Sequence, residues 1–412
     1  MREKVEDCSN ISMYKIYELK IQSKNMDYFN LLFLESKWFY NALVASNDPF
    51  KYDKKSIVVS VFNKKDQTSS TREFRVLTRS MRDEILTRMH SSIKSLRTKL
   101  KKGLRVGDLK FKPIINSIPL NNQTFNLVHN RVCFMSLGGT KGYKRKWYRV
   151  RGINQLPGNG VIKFGNLIRK SNGVYLHVCM EIPRQNIGYR ETIGLDFGIK
   201  DAFVFSDGSV VNFDCKKEYK KLRRKQRQLS RKQKNSKNYF KTKLLLNKQN
   251  EHIKNIKRDA TNKLINKLNN FQVVFQDEML QVWKRKKKGK ASFGKQIQNS
   301  ILGRVKSKLK QNSDNLMLNR TLPTTKQCYE CDKLNSSDLD IRIYKCDCGY
   351  IEDRDIHSAR NMLKFSGVEY TLSEKESDLQ CMLSSLQSKH LSVKQKSTII
   401  SSTTHEKKQG RL

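Results

Sequence analysis

Residues 13–22, MYKIYELKIQ, place apolar side chains at Tyr14 and Ile16 and then at Tyr17, Leu19 and Ile21. This alternation predicts a β-strand with one phase slip. Residues 28–46 carry apolar positions at helical spacing. The stretch 81–100 does so more clearly: Met81, Ile85, Met89, Ile93, Leu96 and Leu100 form one stripe, with Arg82, Arg88, Lys94, Arg97 and Lys99 off it. From about 111 to 190 the period returns to two in short runs such as RVCFMSL and GVYLHVCMEIP, broken by Gly, Asn and Pro. The first half is therefore expected to be a β-rich body, 1–24 and 111–190, interrupted by a helical insertion at 25–110.

A second unit opens at 191. ETIGLDFGIKDAFVFSDGSVVNF predicts three successive strands with tight turns at Gly198–Asp201 and Asp207–Gly208. A basic helical stretch follows, in which 14 of the 28 residues from 216 to 243 are Lys or Arg, against one acid. Ile253, Ile256, Ala260, Leu264, Ile265 and Leu268 then mark one face of a further helix, so the two pair as a hairpin. FQVVFQDEML (271–280) is a buried-strand run ending in acids, and WKRKKKGKASFGKQ is a basic loop. Residues 366–412, rich in Ser, Lys and Gln with weak periodicity, are expected to be a largely disordered tail.

Charge narrows the partner. Lys and Arg number 83 against 38 Asp and Glu, a formal charge of +45 on 412 residues. Such a chain repels itself unless a polyanion neutralises it, so nucleic acid is the expected partner, and the acid-poor 216–243 stretch is expected to face it. No apolar run approaches 18 residues, and MREKVEDCSN lacks the apolar core of a signal peptide, so a soluble cytoplasmic protein without a membrane partner is expected. Cys8, Cys133, Cys179, Cys215 and Cys381 are scattered and read as reduced thiols.

The other four cysteines are clustered. Cys328-x2-Cys331 and Cys346-x-Cys348, fourteen residues apart, supply four thiolates with the spacing of a structural zinc ribbon over 328–351, and Gly349 permits a tight knuckle. Four sulfurs close the coordination shell, so this zinc would be structural rather than catalytic. The carboxylates are the candidates for chemistry. On strand 192–199, Ile193, Leu195, Phe197 and Ile199 take one face and Gly194, Asp196 and Gly198 the other. If 355–364 is helical, Asp355 shares a face with Ala359, Met362 and Leu363, where a carboxylate is costly unless a cation compensates it. Asp353, just before, suits a cap. Asp277 and Glu278 point to opposite sides of a strand end, and spacing does not choose between them. Three separated acids that converge would suit a two-Mg²⁺ site for phosphoryl transfer.

Four segments in this order resemble the TnpB (OrfB-type) family of compact RNA-guided DNA nucleases, related to miniature type V CRISPR effectors. They are IGLDFGIKDAFVFSDG, the basic hairpin KKLRRKQRQLSRKQKNSKNYFKTKLLLNKQNEHIKNIKRD, VVFQDEMLQVW with FGKQIQNSILGRVKSKLK, and KQCYECDKLNSSDLDIRIYKCDCGYIEDRDIHSARNML. The likeness covers about 191–365; LKFKP at 109–113 is a faint echo in the first half. It implies an α/β and α+β multidomain protein. An RNase H-like RuvC nuclease domain (191–327 and 352–365) with an inserted four-cysteine zinc ribbon would follow an N-terminal β-barrel-like wedge domain with a helical recognition insertion. It places the catalytic, Mg²⁺-binding acids at Asp196, Glu278 and Asp355, setting aside Asp277 and Asp353. It also implies a guide RNA and a target DNA duplex with a short flanking motif; the sequence leaves open a monomer or a dimer on the RNA. His357 stands where the family usually has Asn, which implies tuned activity, and Arg342 matches a position that could touch the scissile strand. Competing expectations are a CRISPR effector of the same chemistry, a nuclease-dead RNA-guided repressor and a zinc-ribbon transcription factor.

Overall fold

In a computed structural model, residues 12–46, 56–63, 68–137, 142–183, 191–278, 280–283, 292–335, 341–367 and 376–396 are described. The chain divides into two units, Met1–Asn186 and Ile187–Leu412. The first contains β1 (Ser12–Gln22), α1 (Asp27–Ala45), the hairpin strands β2 (Val58–Asn63) and β3 (Thr68–Glu73), and α2 (Arg79–Lys101). Six strands follow: β4 (Ser117–Leu120), β5 (Phe125–Val128), β6 (Arg131–Leu137), β7 (Tyr143–Arg151), β8 (Val161–Lys170) and β9 (Gly173–Pro183).

These strands form a seven-stranded antiparallel sheet in the order β4-β8-β9-β1-β7-β6-β5. β1 pairs with β9 from Ser12 to Lys20 in unbroken register. The expected phase slip is absent: Tyr17, Leu19 and Ile21 turn inward, whereas Tyr14 and Ile16 lie exposed on the outer face of the same regular strand. The sheet curls, since a Cβ on Gly165 of β8 would meet the Phe125 ring of β5 at 2.8 Å. Phe29, Leu32, Phe33, Phe39 and Leu43 of α1 pack on its inner face.

The insertion is less purely helical than its periodicity suggests, because β2 and β3 form an antiparallel hairpin between α1 and α2. Buried Glu35 of α1 accepts the backbone N–H groups of Arg75, Val76 and Leu77 at 2.8, 3.0 and 2.7 Å. It thereby fixes the approach to α2, whose first residue follows the capping Thr78. Of the apolar side chains of α2, Met81, Ile85, Leu86 and Met89 are buried, and Leu100 is exposed. Arg82, off the apolar stripe, is nonetheless buried and lies 4.9 Å from the Phe74 ring centre.

The second unit contains β10 (Thr192–Phe197), β11 (Phe203–Phe205), β12 (Ser209–Phe213), α3 (Lys216–Ser230), α4 (Lys237–Leu268), β13 (Gln272–Gln276), α5 (Leu280–Trp283), α6 (Gly294–Asn299), α7 (Leu302–Gln311) and β14 (Leu316–Leu318). The small strands β15 (Ile343–Lys345) and β16 (Ile351–Asp353) precede α8 (Arg354–Phe365), α9 (Glu376–Ser384) and β17 (Leu391–Gln395). A mixed sheet runs β14-β13-β10-β11-β12-β17. β10, β13 and β14 are parallel; β10-β11-β12-β17 are antiparallel. One face packs on α4, α7 and α9 through Leu195, Phe197, Phe275, Leu264, Val305 and Leu383. The other face receives α8 through Val274 with Met362 and Leu363, and Val204 with Ile356. The basic hairpin is α3 and α4, broken at 231–236 and restarted by the Ser236 cap on Tyr239 N at 3.1 Å.

The tail expectation is corrected. Residues 376–396 supply a helix and an edge strand: Leu379, Leu383, Leu386 and Leu391 join the core, and β17 pairs with β12. Its apolar positions are few, but they suffice once they meet a sheet already built. The basic loop at 284–291, Cys8 and residues 397–412 lie outside the described residues.

Candidate active site

The site is built where α8 crosses β10. Ile193, Leu195 and Phe197 fill the core on one side of the strand, which leaves Gly194, Asp196 and Gly198 on the other. A Cβ on Gly194 would stand 1.9 Å from the Ala359 carbonyl oxygen. Only glycine lets the helix backbone rest on the strand there, two residues from Asp196. Gly198 is equally confined, 2.1 Å from Asp201 O by the same measure, and makes the turn into β11. Ser358 of α8 donates to Asp196 Oδ1 at 3.2 Å. Its oxygen also lies 3.2 Å from Thr324 Oγ1, which in turn donates to Gln276 of β13.

Asp353 caps α8, its Oδ1 accepting from Asp355 N at 2.9 Å and Ile356 N at 3.3 Å. Asp355 then sits nearly buried in the first turn, where the helix dipole favours a carboxylate. Cations supply the compensation its position demands. Lys396 Nζ is 3.1 Å from Asp355 Oδ2, Arg342 Nη1 is 3.4 Å from the same oxygen, and Arg354 Nη2 is 3.8 Å from Oδ1. Lys396 also reaches Asp353 at 2.9 Å and Asp201 at 3.5 Å.

At the end of β13 the two neighbouring acids part. Asp277 turns to Lys306 of α7 at 2.6 Å, and this bond holds its carboxyl below the usual range. Glu278 is half-buried, and burial raises its carboxyl above the usual range. Asp196 is held well above that range, first by burial and then by the charges of Asp355 and Glu278. Asp196 thus feels both other acids, while Asp277, paired with Lys306, acts on its neighbour Glu278, whose carboxyl its charge also raises. Among the described residues, the only group of three or more potential ligands gathered closely enough to share one ion is the cysteine set.

The four cysteine sulfurs all lie within 4.8 Å of one another, with Cys328–Cys348 at 3.6 Å and Cys331–Cys346 at 3.5 Å. Sulfurs about 2.3 Å from a tetrahedral zinc are about 3.8 Å apart, so the set fits that ion. Gly349 takes φ +92° in the second knuckle. The ribbon is tied to α8 by aromatic and ionic contacts. Tyr344 stacks on the His357 ring at 3.8 Å, and buried Glu352 accepts from Tyr350 and pairs with Arg360 at 2.7 Å. Arg360 Nε also donates to Ser206 O at 3.1 Å. His357 is fully buried, its pKa is lowered to about 4 chiefly by burial, and its ring faces the ribbon. Its Nε2 also lies 3.0 Å from Asn361 Nδ2.

Ser358, Thr324 and Lys396 carry the site's supporting contacts and were missed by sequence reasoning. The alternation in LSVKQK, with Leu391 and Val393 on one face and Lys394 and Lys396 on the other, was the available signal for the last.

Comparison with known proteins gives two family matches. Residues 177–274 match the model of a probable transposase, OrfB of the IS605 type, and residues 301–362 match the Cas12f1-like TNB domain. Asp196 lies in the first; the four cysteines and Asp355 lie in the second; Glu278 falls between them. A Streptomyces pristinaespiralis protein named "Putative RNA-guided DNA endonuclease" is 28% identical over 181 residues. That alignment spans 42% of this chain and 44% of the relative, less than half of each. A solved Cas12f1–sgRNA–target DNA complex contains a chain of 16% identity, with 82% of each chain covered and a TM-score of 0.49.

Proposed function

We propose that this chain, which belongs to the TnpB-type (OrfB) family through residues 177–274 and 301–362, is an RNA-guided DNA endonuclease whose active site is the acid group Asp196, Glu278 and Asp355. The observation that carries the reading is α8 laid across β10 at Gly194, which brings Ser358 to 3.2 Å from Asp196 and sets Asp355 in the first turn of the same helix, with the charges of Asp355 and Glu278 felt at Asp196. Acids that repel one another across a partly enclosed site are suited to divalent cations, each of which needs only one or two carboxylates beside water and substrate oxygens. Mg²⁺ held by these three residues would supply an activated water and stabilise the leaving oxygen of a phosphodiester. Ser358 orients Asp196, Asp353 fixes the first turn of α8 around Asp355, and half-exposed Arg342 is free to turn from Asp355 towards a phosphate.

The strand order β12-β11-β10-β13-β14, with the first three antiparallel and the last three parallel, supports an RNase H-like (RuvC) reading of the sheet. The first unit is assigned as the wedge and recognition domains, and residues 328–351 as a structural zinc ribbon. The name of the Streptomyces relative and the charge of +45 support a guide RNA and a DNA target as partners. Sequence recognition would then fall to base pairing, with the protein holding backbone and a short flanking motif.

Asp196→Ala, Glu278→Ala and Asp355→Ala should each reduce cleavage of a guide-matched duplex at least about a hundredfold, the scale on which removing charge stabilisation acts. Binding of the RNA that copurifies with the protein should persist. Full cleavage by purified Asp355→Ala protein would sink the assignment.

A further inference from the structure

The C-terminal strand carries two lysines to the acid side of the nuclease sheet. β17 follows α9, and its pairing with β12 runs from Ser209↔Gln395 to Phe213↔Leu391. Leu391 and Val393 face the core, which directs Lys394 and Lys396 to the other side. Lys394 Nζ reaches Asp201 at 2.6 Å. Lys396 continues further, its amide donating to Gly208 O at 3.0 Å and its ammonium held among Asp201, Asp353 and Asp355. The Lys396 side chain is 14% exposed. An ammonium so enclosed has exchanged water for these carboxylates, and its position is set by a β-ladder rather than by a loose chain end.

The oxygen it occupies is Oδ2 of Asp355, the residue assigned above to metal. One carboxylate oxygen cannot serve an ammonium at hydrogen-bond distance and a divalent cation together without strong like-charge repulsion. Asp201 and Asp353 offer the ammonium two other acceptors on the same side, so it can leave Asp355 without leaving the protein. We propose that Lys396 is a resident counter-cation of the acid group. It neutralises Asp355 until a divalent metal displaces it, and the C-terminal strand thereby sets the metal concentration at which the site loads. The inference rests on the metal-site reading of Asp196, Glu278 and Asp355.

The test uses the full chain and Mn²⁺ alone, titrated by electron paramagnetic resonance, in wild type, Lys396→Met, Lys396→Gln, Lys396→Arg and Asp196→Asn. Both neutral variants should bind Mn²⁺ roughly five-fold or more tightly than wild type, the lower end of coupling between linked sites. The Arg variant should stay near wild type. In cleavage assays the Mg²⁺ midpoint should fall in the neutral variants, while a merely structural role would lower the maximal rate and leave the midpoint in place. Unchanged or weaker Mn²⁺ binding in a natively folded neutral variant would overturn the counter-cation role and leave the metal site intact. Wild-type Mn²⁺ binding that Asp196→Asn does not reduce would instead overturn the metal-site reading, and this inference with it.

Discussion

Asp196 shows how one carboxylate sets opposing demands on folding and chemistry. Burial and two neighbouring acids hold its proton on, so the metal-free folded chain binds that proton more tightly than the unfolded chain does. The sign of the linkage follows. A raised carboxyl costs nothing below the ordinary carboxylate pKa near 4, and its cost grows as pH rises from there through the raised value. Asp196→Asn keeps an oxygen for the Ser358 hydroxyl and removes the charge. In metal-free buffer at neutral pH it should be more stable than wild type, because the raised carboxyl no longer has to ionise against burial and two neighbouring acids. Thermal melts at pH 4 and pH 8 should show the gap opening only at the higher value. An equal gap at both would mean that charge is not the cause. Gly194 belongs to the same economy of space: its missing side chain admits Ala359 and brings Ser358 within reach of Asp196.

At the scale of elements, what could be read from the chain depended on whether the residues nearby were enough to decide it. The three strands from 192, the hairpin of α3 and α4, and the cap at Asp353 follow from local periodicity and local hydrogen bonds, and they stand as the sequence implied. The face of Asp355 was legible for the same reason. β17 was not, because five residues with two apolar side chains acquire strand character only by pairing with β12, some 180 residues earlier. The phase of β1 failed similarly, since Tyr14 and Ile16 are apolar yet face outward. The four-cysteine ribbon joins the legible and the illegible parts. Its knuckles were evident from spacing, but their hold on α8 through Tyr344–His357 and Glu352–Arg360 is a product of tertiary packing. On the proposed reading, stripping a zinc held there, or Cys328→Ser, should therefore lower the melting temperature and abolish cleavage with every carboxylate in place. One zinc per chain by elemental analysis, and recovery of cleavage when zinc is restored, would complete the case. A zinc-free protein that cuts normally in Mg²⁺ would refute the coupling.

The whole molecule is governed by its charge. A formal +45 with 38 acids cannot be offset internally, and among the described residues paired acids are found in both units, as in Glu18 with Lys170 and Asp355 with Lys396. The surplus stays on the surface, and α3 shows it most plainly: Arg223, Arg224 and Arg227 are exposed on a helix that buries only Glu218 and Leu222. Buried Glu218 is already engaged by Lys221 and Gln249, so it leaves those three arginines to solvent or to a polyanion. Binding to the proposed RNA partner through such groups would be driven by counterion release, so affinity should fall linearly with salt on a logarithmic plot, by about 0.7 per phosphate neutralised on a single strand. Replacing Arg223, Arg224 and Arg227 together with Ser should flatten that slope by about 2 if each meets one phosphate. The change should weaken guide-like and unrelated RNA alike, because phosphates carry no sequence. Filter binding across a salt series measures the slope directly. A triple variant with an unchanged slope would move the nucleic-acid face off α3, whereas a loss confined to one RNA sequence would mean that these arginines read bases instead of backbone.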